Sequence, residues 1–140
     1  MLADYKAESR VIALGDSSVT VSGLSLNSFA QVISTHFDDI DAIFDLFTSI
    51  TKGKTDISEQ DIATIIGKAL TEAPGLVANL ICAAANESGE AAHNAVLTIP
   101  FPKQLEIMTA VVELTFKEVG GIKKSLDQVK VLMKSLNPTT

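Results

Sequence analysis

The sequence predicts a mainly α-helical protein, a bundle of about five to six helices with a small N-terminal β-hairpin. Apolar residues recur at helical spacing through most of the chain after position 25. Near the start, two short β-branched runs flank a Gly-Asp pair, which is the pattern of a tight hairpin. Apolar residues make up 46% of the chain and aromatic residues only 5%, which favours helices with modest side-chain volumes.

A chain of 140 residues has the length of one domain with one core. We expect residues 1–24 to form an arm and the hairpin, and residues 25–137 to form a helical domain that folds with the hairpin as one unit. Two strands alone are only marginally stable. The hairpin therefore leans on the helices or pairs with a strand of another subunit, and the sequence leaves both arrangements open.

The hairpin is predicted within residues 8–23, ESRVIALGDSSVTVSG. Gly15 suits the first central position of a type II′ turn. Val19 and Val21 alternate with polar residues, so one face of the hairpin is apolar and the other is polar.

The first long helix is predicted to begin near residue 26, where the apolar period changes to that of a helix. Either Ser25 or Asn27 is a suitable N-cap. Asp38 with Asp41 three residues later fits a restart after His36, so one long helix and two collinear helices both fit, and we favour a break near His36. The predicted apolar face consists of Leu26, Phe29, Ala30, Ile33, Phe37, Ile40, Phe44 and Phe47.

The middle of the chain contains three further helix starts. Ser58 followed by Asp61 is close to a capping box, and Pro74 suits the first turn of a new helix after Glu72. A short helix is predicted from about Ser88 to Val96.

The segment from residue 98 to 125, TIPFPKQLEIMTAVVELTFKEVGGIKKS, predicts a helix from Pro102 to Val119 that ends at a glycine pair. Two apolar stripes leave only a narrow polar strip, so most of the helix must be covered by the core or by another chain. After the glycines, a narrower coiled-coil-like seam is formed by Ile122, Leu126, Val129, Met133 and Leu136.

Catalytic and metal-binding patterns are weak throughout the sequence. His36 and His93 lie 57 residues apart, and Cys82 has no CxxC partner, which argues against a metal site. Cys82 lies in an apolar run, LICAAAN, and is expected to be a buried, inert thiol. We therefore expect no cofactor, no metal and no enzymatic activity.

The net charge of −6 is unevenly distributed. Residues 1–50 sum to −5, residues 51–116 to −4 and residues 117–140 to +3. A mostly acidic body argues against nucleic acid as the partner. The longest uncharged run, residues 73–86, is shorter than the roughly 20 residues of a membrane span. With one cysteine and no apolar leader pattern, the chain is expected in a reducing cytoplasm.

Several short patterns occur in an order that resembles a known family. They are GLSLNSF at residues 23–29, DAIFDLF at 41–47, EAPGLVANLICAAANE at 72–87, EAAHNAVLTIP at 90–100, and the QL, LTF, GG and KKS pieces within 104–125. Together they resemble the tail assembly chaperones of long-tailed bacteriophages, also called pre-tape-measure proteins.

The resemblance implies a non-enzymatic function in phage tail assembly. Such a chaperone binds the long helical tape measure protein, keeps it soluble, and promotes assembly of tail tube subunits around it. It acts in the host cytoplasm and is absent from the mature virion. The mean hydropathy of +0.30 and the double apolar stripes also predict a homo-oligomer or a helical client.

Partner binding is assigned to the C-terminal third of the chain. A lysine pair at a helix N-terminus opposes the helix dipole by a few tenths of a kcal/mol, which hints at a partner. The alternative is that the apolar candidates are ordinary core residues. Two other functions fit the same patterns: a helical adaptor of another pathway, and a small enzyme whose polar cleft gathers a histidine with carboxylates. The predicted partner-binding residues are Phe101, Leu105, Leu114, Phe116, Lys123 and Lys124.

Overall fold

A computed structural model describes residues 1–116 and 122–135 of the chain. The described part is mainly helical, about 70%, with an N-terminal two-stranded hairpin, as the sequence predicts. After a short 3-10 turn (Leu2–Asp4), the elements are β1 (Ser9–Leu14), β2 (Ser17–Ser22), α1 (Leu26–Thr51), α2 (Glu59–Glu72), α3 (Pro74–Ala84), α4 (Glu90–Leu97), α5 (Phe101–Phe116) and α6 (Ile122–Ser135).

The hairpin has the predicted two-residue turn and the predicted apolar face. Gly15 has a φ of 66°, in the left-handed region that glycine tolerates best. The strands are antiparallel, and Ile12 faces Val19 across the ladder. Ile12 and Val21 are buried, whereas Val11 on the opposite face is 65% exposed. One face therefore packs on the protein and the other faces solvent.

The hairpin leans on the helices of its own chain, one of the two arrangements that the sequence left open. The Leu24 N–H donates to Thr115 Oγ1 at 3.0 Å, which joins the end of the hairpin to α5. Ser22 Oγ donates to the carbonyl oxygen of Ala84 at 3.3 Å, which adds a contact with α3. These long-range hydrogen bonds connect the hairpin to both helices.

Helix α1 begins at the Ser25 cap and is kinked where the sequence predicted a break. The Ser25 side chain accepts a hydrogen bond from the Ser28 N–H at 3.1 Å. His36 has φ −125° and ψ 35°, which are not helical values. Leu26, assigned to the apolar face, is 78% exposed. Burial on that face starts with the half-buried Phe29.

The local signals of the middle helices are confirmed. Ser58 Oγ accepts from the Asp61 N–H at 3.0 Å, and Asp61 Oδ2 accepts from the Ser58 N–H at 3.4 Å, which completes a capping box. Pro74 is the first residue of α3. Helix α4 begins at Glu90 and ends at Leu97, close to the predicted bounds.

Helix α5 begins one residue earlier than predicted, so Pro102 is its second residue rather than its first. Its predicted end at Val119 and the glycine pair lie outside the described residues. In the predicted seam of α6, Met133 is buried and Val129 is half-buried. The side chains of the first two seam residues, and the whole of Leu136, lie outside what the structure describes.

The buried side chains form two clusters. The first joins the apolar face of the hairpin to α2, α3, α4 and α5. The second is built around α1 and also contains Ala73, Leu76 and, from α6, Met133. Ile43 and Leu80 pack against both clusters, so the two cores are continuous.

Candidate functional site

The predicted partner-binding residues of α5 differ in exposure. Phe101 is 49% exposed at the start of the helix. Leu105, Leu114 and Phe116 are half-buried and pack against the first core cluster. Over 16 helical residues, the first and last positions of α5 are about 22 Å apart. Leu114 and Phe116 therefore share one end of the helix, and Phe101 lies at the other.

The two predicted lysines belong to α6. Lys124 is exposed, and the side chain of Lys123 lies outside the described residues. Lys130, which the sequence analysis did not single out, is half-buried, and its Nζ donates to Thr48 Oγ1 on α1. The basic helix is thus held against the C-terminal part of α1.

Phe116 contacts α1 through an aromatic pair. Its ring and that of Phe29 have centroids 6.4 Å apart and planes at 86°, an edge-to-face arrangement. Such pairs contribute about 0.5–1.5 kcal/mol beyond the area they bury. The pair links the end of α5 to the start of α1.

Beside this pair lies an apolar cavity of about 120 Å³. The described residues that line it come from α1, α2, α3 and α5 and from the loop before α2, and all of them are apolar. They are Phe29, Ile40, Ile43, Phe44, Phe47, Ile57, Ile62, Ile65, Ile66, Ala69, Leu76, Val77, Leu80, Met108, Val112 and Phe116.

The cavity is not sealed from the surface. Several of its walls are only half-buried, including Phe29, Ile43, Ile65, Val112 and Phe116. Apolar cavities stay dry and accept apolar groups of matching size. The site is therefore suited to an apolar side chain of a partner, and it offers no polar group to orient a small polar substrate.

A polar bridge that sequence reasoning missed joins α1 to α3 and α4. Asn79 on α3 joins the two histidines: its Nδ2 lies 2.6 Å from His36 Nε2, and its Oδ1 lies 3.0 Å from His93 Nδ1. The bridge holds the kink of α1 against α3 and α4. No local pattern signals it, because the two histidines are far apart in sequence and Asn79 lies in an apolar run.

Comparison with known proteins decides the family. The family model for the pre-tape measure proteins matches residues 1–140. The chain belongs to the pre-tape-measure family. The resemblance seen in the sequence is thereby confirmed, and the family has a role related to phage tails. No curated protein and no solved structure matches the chain.

A polar cleft of about 380 Å³ in this pre-tape-measure protein lies between α1, α3 and α4. Asn79, Cys82, Glu87 and His93 are among its lining residues. Among the described residues that line the cleft, the histidine is His93 and the carboxylate is Glu87. His93 Nδ1 pairs with the side-chain amide of Asn79 rather than with a carboxylate.

Cys82, on the wall of this cleft, is 9% exposed. Burial raises the pKa of its thiol, and the nearby charge of Glu87 raises it further. A thiol is a much weaker nucleophile than a thiolate. The burial of Cys82 confirms that this residue lies in the core, as the sequence predicts.

In residues 1–116 and 122–135, no three His, Cys, Asp or Glu side chains cluster as metal ligands. Within the same ranges, no single helix has the length and hydropathy to cross a membrane. Two sharply bent helix pairs, α2 with α3 and α4 with α5, pass that test when each pair is taken together.

Proposed function

We propose that this protein is a phage tail assembly chaperone that binds the tape measure protein, keeps it soluble and promotes tail tube assembly around it. The family match over residues 1–140 is the observation on which the proposal depends. A tape measure protein is a long helical client, and an unassembled client of that kind needs its apolar stripes covered.

The apolar cavity supports the proposal. Helical clients are commonly bound with their apolar side chains in a hydrophobic groove. The half-buried walls around Phe29, Val112 and Phe116 offer such a groove, with space of about 120 Å³ for an anchoring side chain. Helix α1 also carries four exposed aspartates, and their negative charge helps an assembly factor to stay soluble.

The remaining parts of the proposal concern partners and location. The chaperone is proposed to be a homo-oligomer without enzymatic activity, to contact the tail tube protein, and to bind neither nucleic acid nor membrane. It is proposed to act in the host cytoplasm and to be absent from the mature virion. Exposed apolar side chains such as Leu26, Leu97 and Phe101 support self-association or client binding.

Co-expression with the tape measure protein tests the proposal. The expected result is a soluble complex by size-exclusion chromatography with light scattering, whereas the tape measure protein expressed alone is insoluble. Phe101→Ala, which truncates an exposed residue predicted to bind the partner, is expected to lower the yield of complex. Val11→Ala is the matched control, because Val11 is 65% exposed on the outer face of the hairpin. A tape measure protein that stays insoluble in the presence of the chain would overturn the proposal.

A further inference from the structure

Helix α6 packs against the same apolar wall that encloses the cavity. Met133 is 2% exposed and belongs to the second core cluster, and Val129 packs against that cluster. The cluster and the cavity share Phe44, Phe47 and Leu76 among other residues. The apolar residues of α6 therefore rest on the helices that line the cavity.

Few of the described side chains of α6 are buried. Among the side chains of α6 that the structure describes, Met133 is buried, Val129 and Lys130 are half-buried, and the others are exposed. Val131 is 69% exposed on the outer face. Elements with few buried apolar contacts open at low free-energy cost. This helix is thus a suitable element to leave the body while α1 to α5 stay packed.

The two helices that meet at this contact have opposite net charges. Helix α1 has four aspartates and neither lysine nor arginine, and α6 has four lysines and one aspartate. In α6, each inward apolar residue, Val129 and Met133, is followed directly by a lysine. The first of these lysines, Lys130, donates to Thr48 of α1. The structure thus shows a basic amphipathic helix held on apolar residues of a helix whose sequence is acidic, and opposite net charges favour a helix of the same kind.

We propose that α6 covers in cis the apolar surface beside the cavity on which the client helix packs, which we call the seat, and that the client displaces it. The client segment is then an amphipathic helix with apolar residues four apart and lysines beside them. This inference rests on the proposed function and names the regulation of its binding site. Because α6 is tethered, its effective concentration at the seat is in the millimolar range, and a client must outcompete it.

A labelled peptide tests whether α6 holds an exchangeable seat. The probe is a fluorescein-labelled peptide with the sequence of residues 122–135, added to the full-length protein. Met133→Glu in the full chain is expected to bind the peptide at least about tenfold more tightly than wild type, because its own helix no longer fills the seat. Val131→Glu adds the same charge to the exposed face and is expected to behave as wild type.

A second variant guards against loss of folding. Lys130→Glu leaves the apolar cluster intact and removes the contact with Thr48. This variant is also expected to bind the peptide more tightly than wild type. Equal peptide binding by wild type, Met133→Glu and Lys130→Glu, with helical circular dichroism retained, would overturn the inference.

Hydrogen exchange of the complex tests displacement by the client itself. In the soluble complex with the tape measure protein, the amides of residues 122–135 are expected to exchange faster than in the free protein, and those of α1 and α5 more slowly. Failure to form a complex overturns the proposed function. A complex in which α6 keeps or gains protection overturns the displacement of α6 alone.

Discussion

Gly23 approaches the backbone of Leu114 so closely that a Cβ atom at Gly23 would lie 2.7 Å from the Leu114 carbonyl oxygen. The next residue, Leu24, donates its N–H to Thr115 Oγ1. The end of the hairpin is therefore pressed directly onto α5, one residue from the aromatic pair of Phe116. A side chain at Gly23 would separate the two.

Gly23→Ala is expected to lower the free energy of unfolding by about 1–3 kcal/mol, because the backbone of α5 must move to admit the methyl group. Urea denaturation measures the change. Gly67→Ala is the matched control: Gly67 lies in α2 with nothing within 4 Å of the added Cβ, and alanine there is expected to stabilise by about 0.5–1 kcal/mol. Equal effects of the two substitutions would contradict the close approach.

Asn79→Ala is expected to destabilise the protein by about 1–3 kcal/mol, because it leaves the facing nitrogens of two half-buried histidines without partners. Asn94→Ala removes the same amide from an exposed position of α4 and is expected to have little effect. Thermal denaturation of both variants makes the comparison. Equal melting temperatures of the Asn79 and Asn94 variants would show that the bridge does not contribute to stability.

The carboxylate of Asp61, which caps α2, makes the stability of the protein depend on pH in the acidic range. The ion pair with Lys54, whose Nζ lies 2.8 Å from Asp61 Oδ2, lowers the pKa of Asp61, and hydrogen bonds from Ser58 lower it further. A lowered pKa in the folded state means that this stabilisation is present above the ordinary pKa of about 3.8 and is lost as the pH falls through the lowered value.

Asp61→Asn is therefore expected to reduce stability at pH 7 and to flatten the loss of stability at acidic pH. Urea denaturation between pH 7 and pH 2 measures both effects. Glu59→Gln removes a carboxylate from the same first turn but not from the capping box, and is the control. If the free energy of unfolding of Asp61→Asn fell with pH as steeply as that of wild type, the role of this carboxylate would be contradicted.

Cys82 is expected to react slowly with Ellman's reagent at pH 8 in the native protein and rapidly in denaturant. Burial and the charge of Glu87 raise its pKa, so the folded protein holds little thiolate and shields the sulfur from the reagent. The rate of thiol release at 412 nm is the measurement. Rapid reaction without denaturant would show that the wall of the polar cleft opens.

Local patterns in the sequence predicted the structural features that depend on residues close together in the chain. The capping box of Ser58 and Asp61 and the start of α3 at Pro74 depend on residues a few positions apart. The kink at His36 was also predicted from nearby residues, although Asn79 on α3 holds it in place. Leu26 has the right spacing for the core but is exposed, because spacing cannot show where the neighbouring helices reach.

The candidate site was less predictable for the same reason. The apolar cavity depends on how four helices pack, and the Asn79 bridge joins residues 14 and 43 positions apart. Phe116 is among the partner-binding residues predicted from the sequence. Its contact with Phe29 and its place on the cavity wall appear only when α1 and α5 are brought together.

Val112→Phe separates client binding from stability. Val112 is half-buried on the cavity wall, and a larger side chain there fills space that is otherwise empty. Filling a cavity commonly stabilises a protein by about 0.5–2 kcal/mol. We therefore expect a higher melting temperature together with a lower yield of the soluble tape measure complex on co-expression.

Val11→Phe makes the same substitution on the outer face of the hairpin and is expected to leave the yield of complex unchanged. If Val112→Phe instead lowered the melting temperature, the cavity would be too rigid to accept the ring, and its lost binding would carry no information on the site. Ile65→Phe, on the part of the cavity wall that α2 supplies, would then be compared. A more stable variant of either kind that still solubilised the tape measure protein would show that the client binds elsewhere.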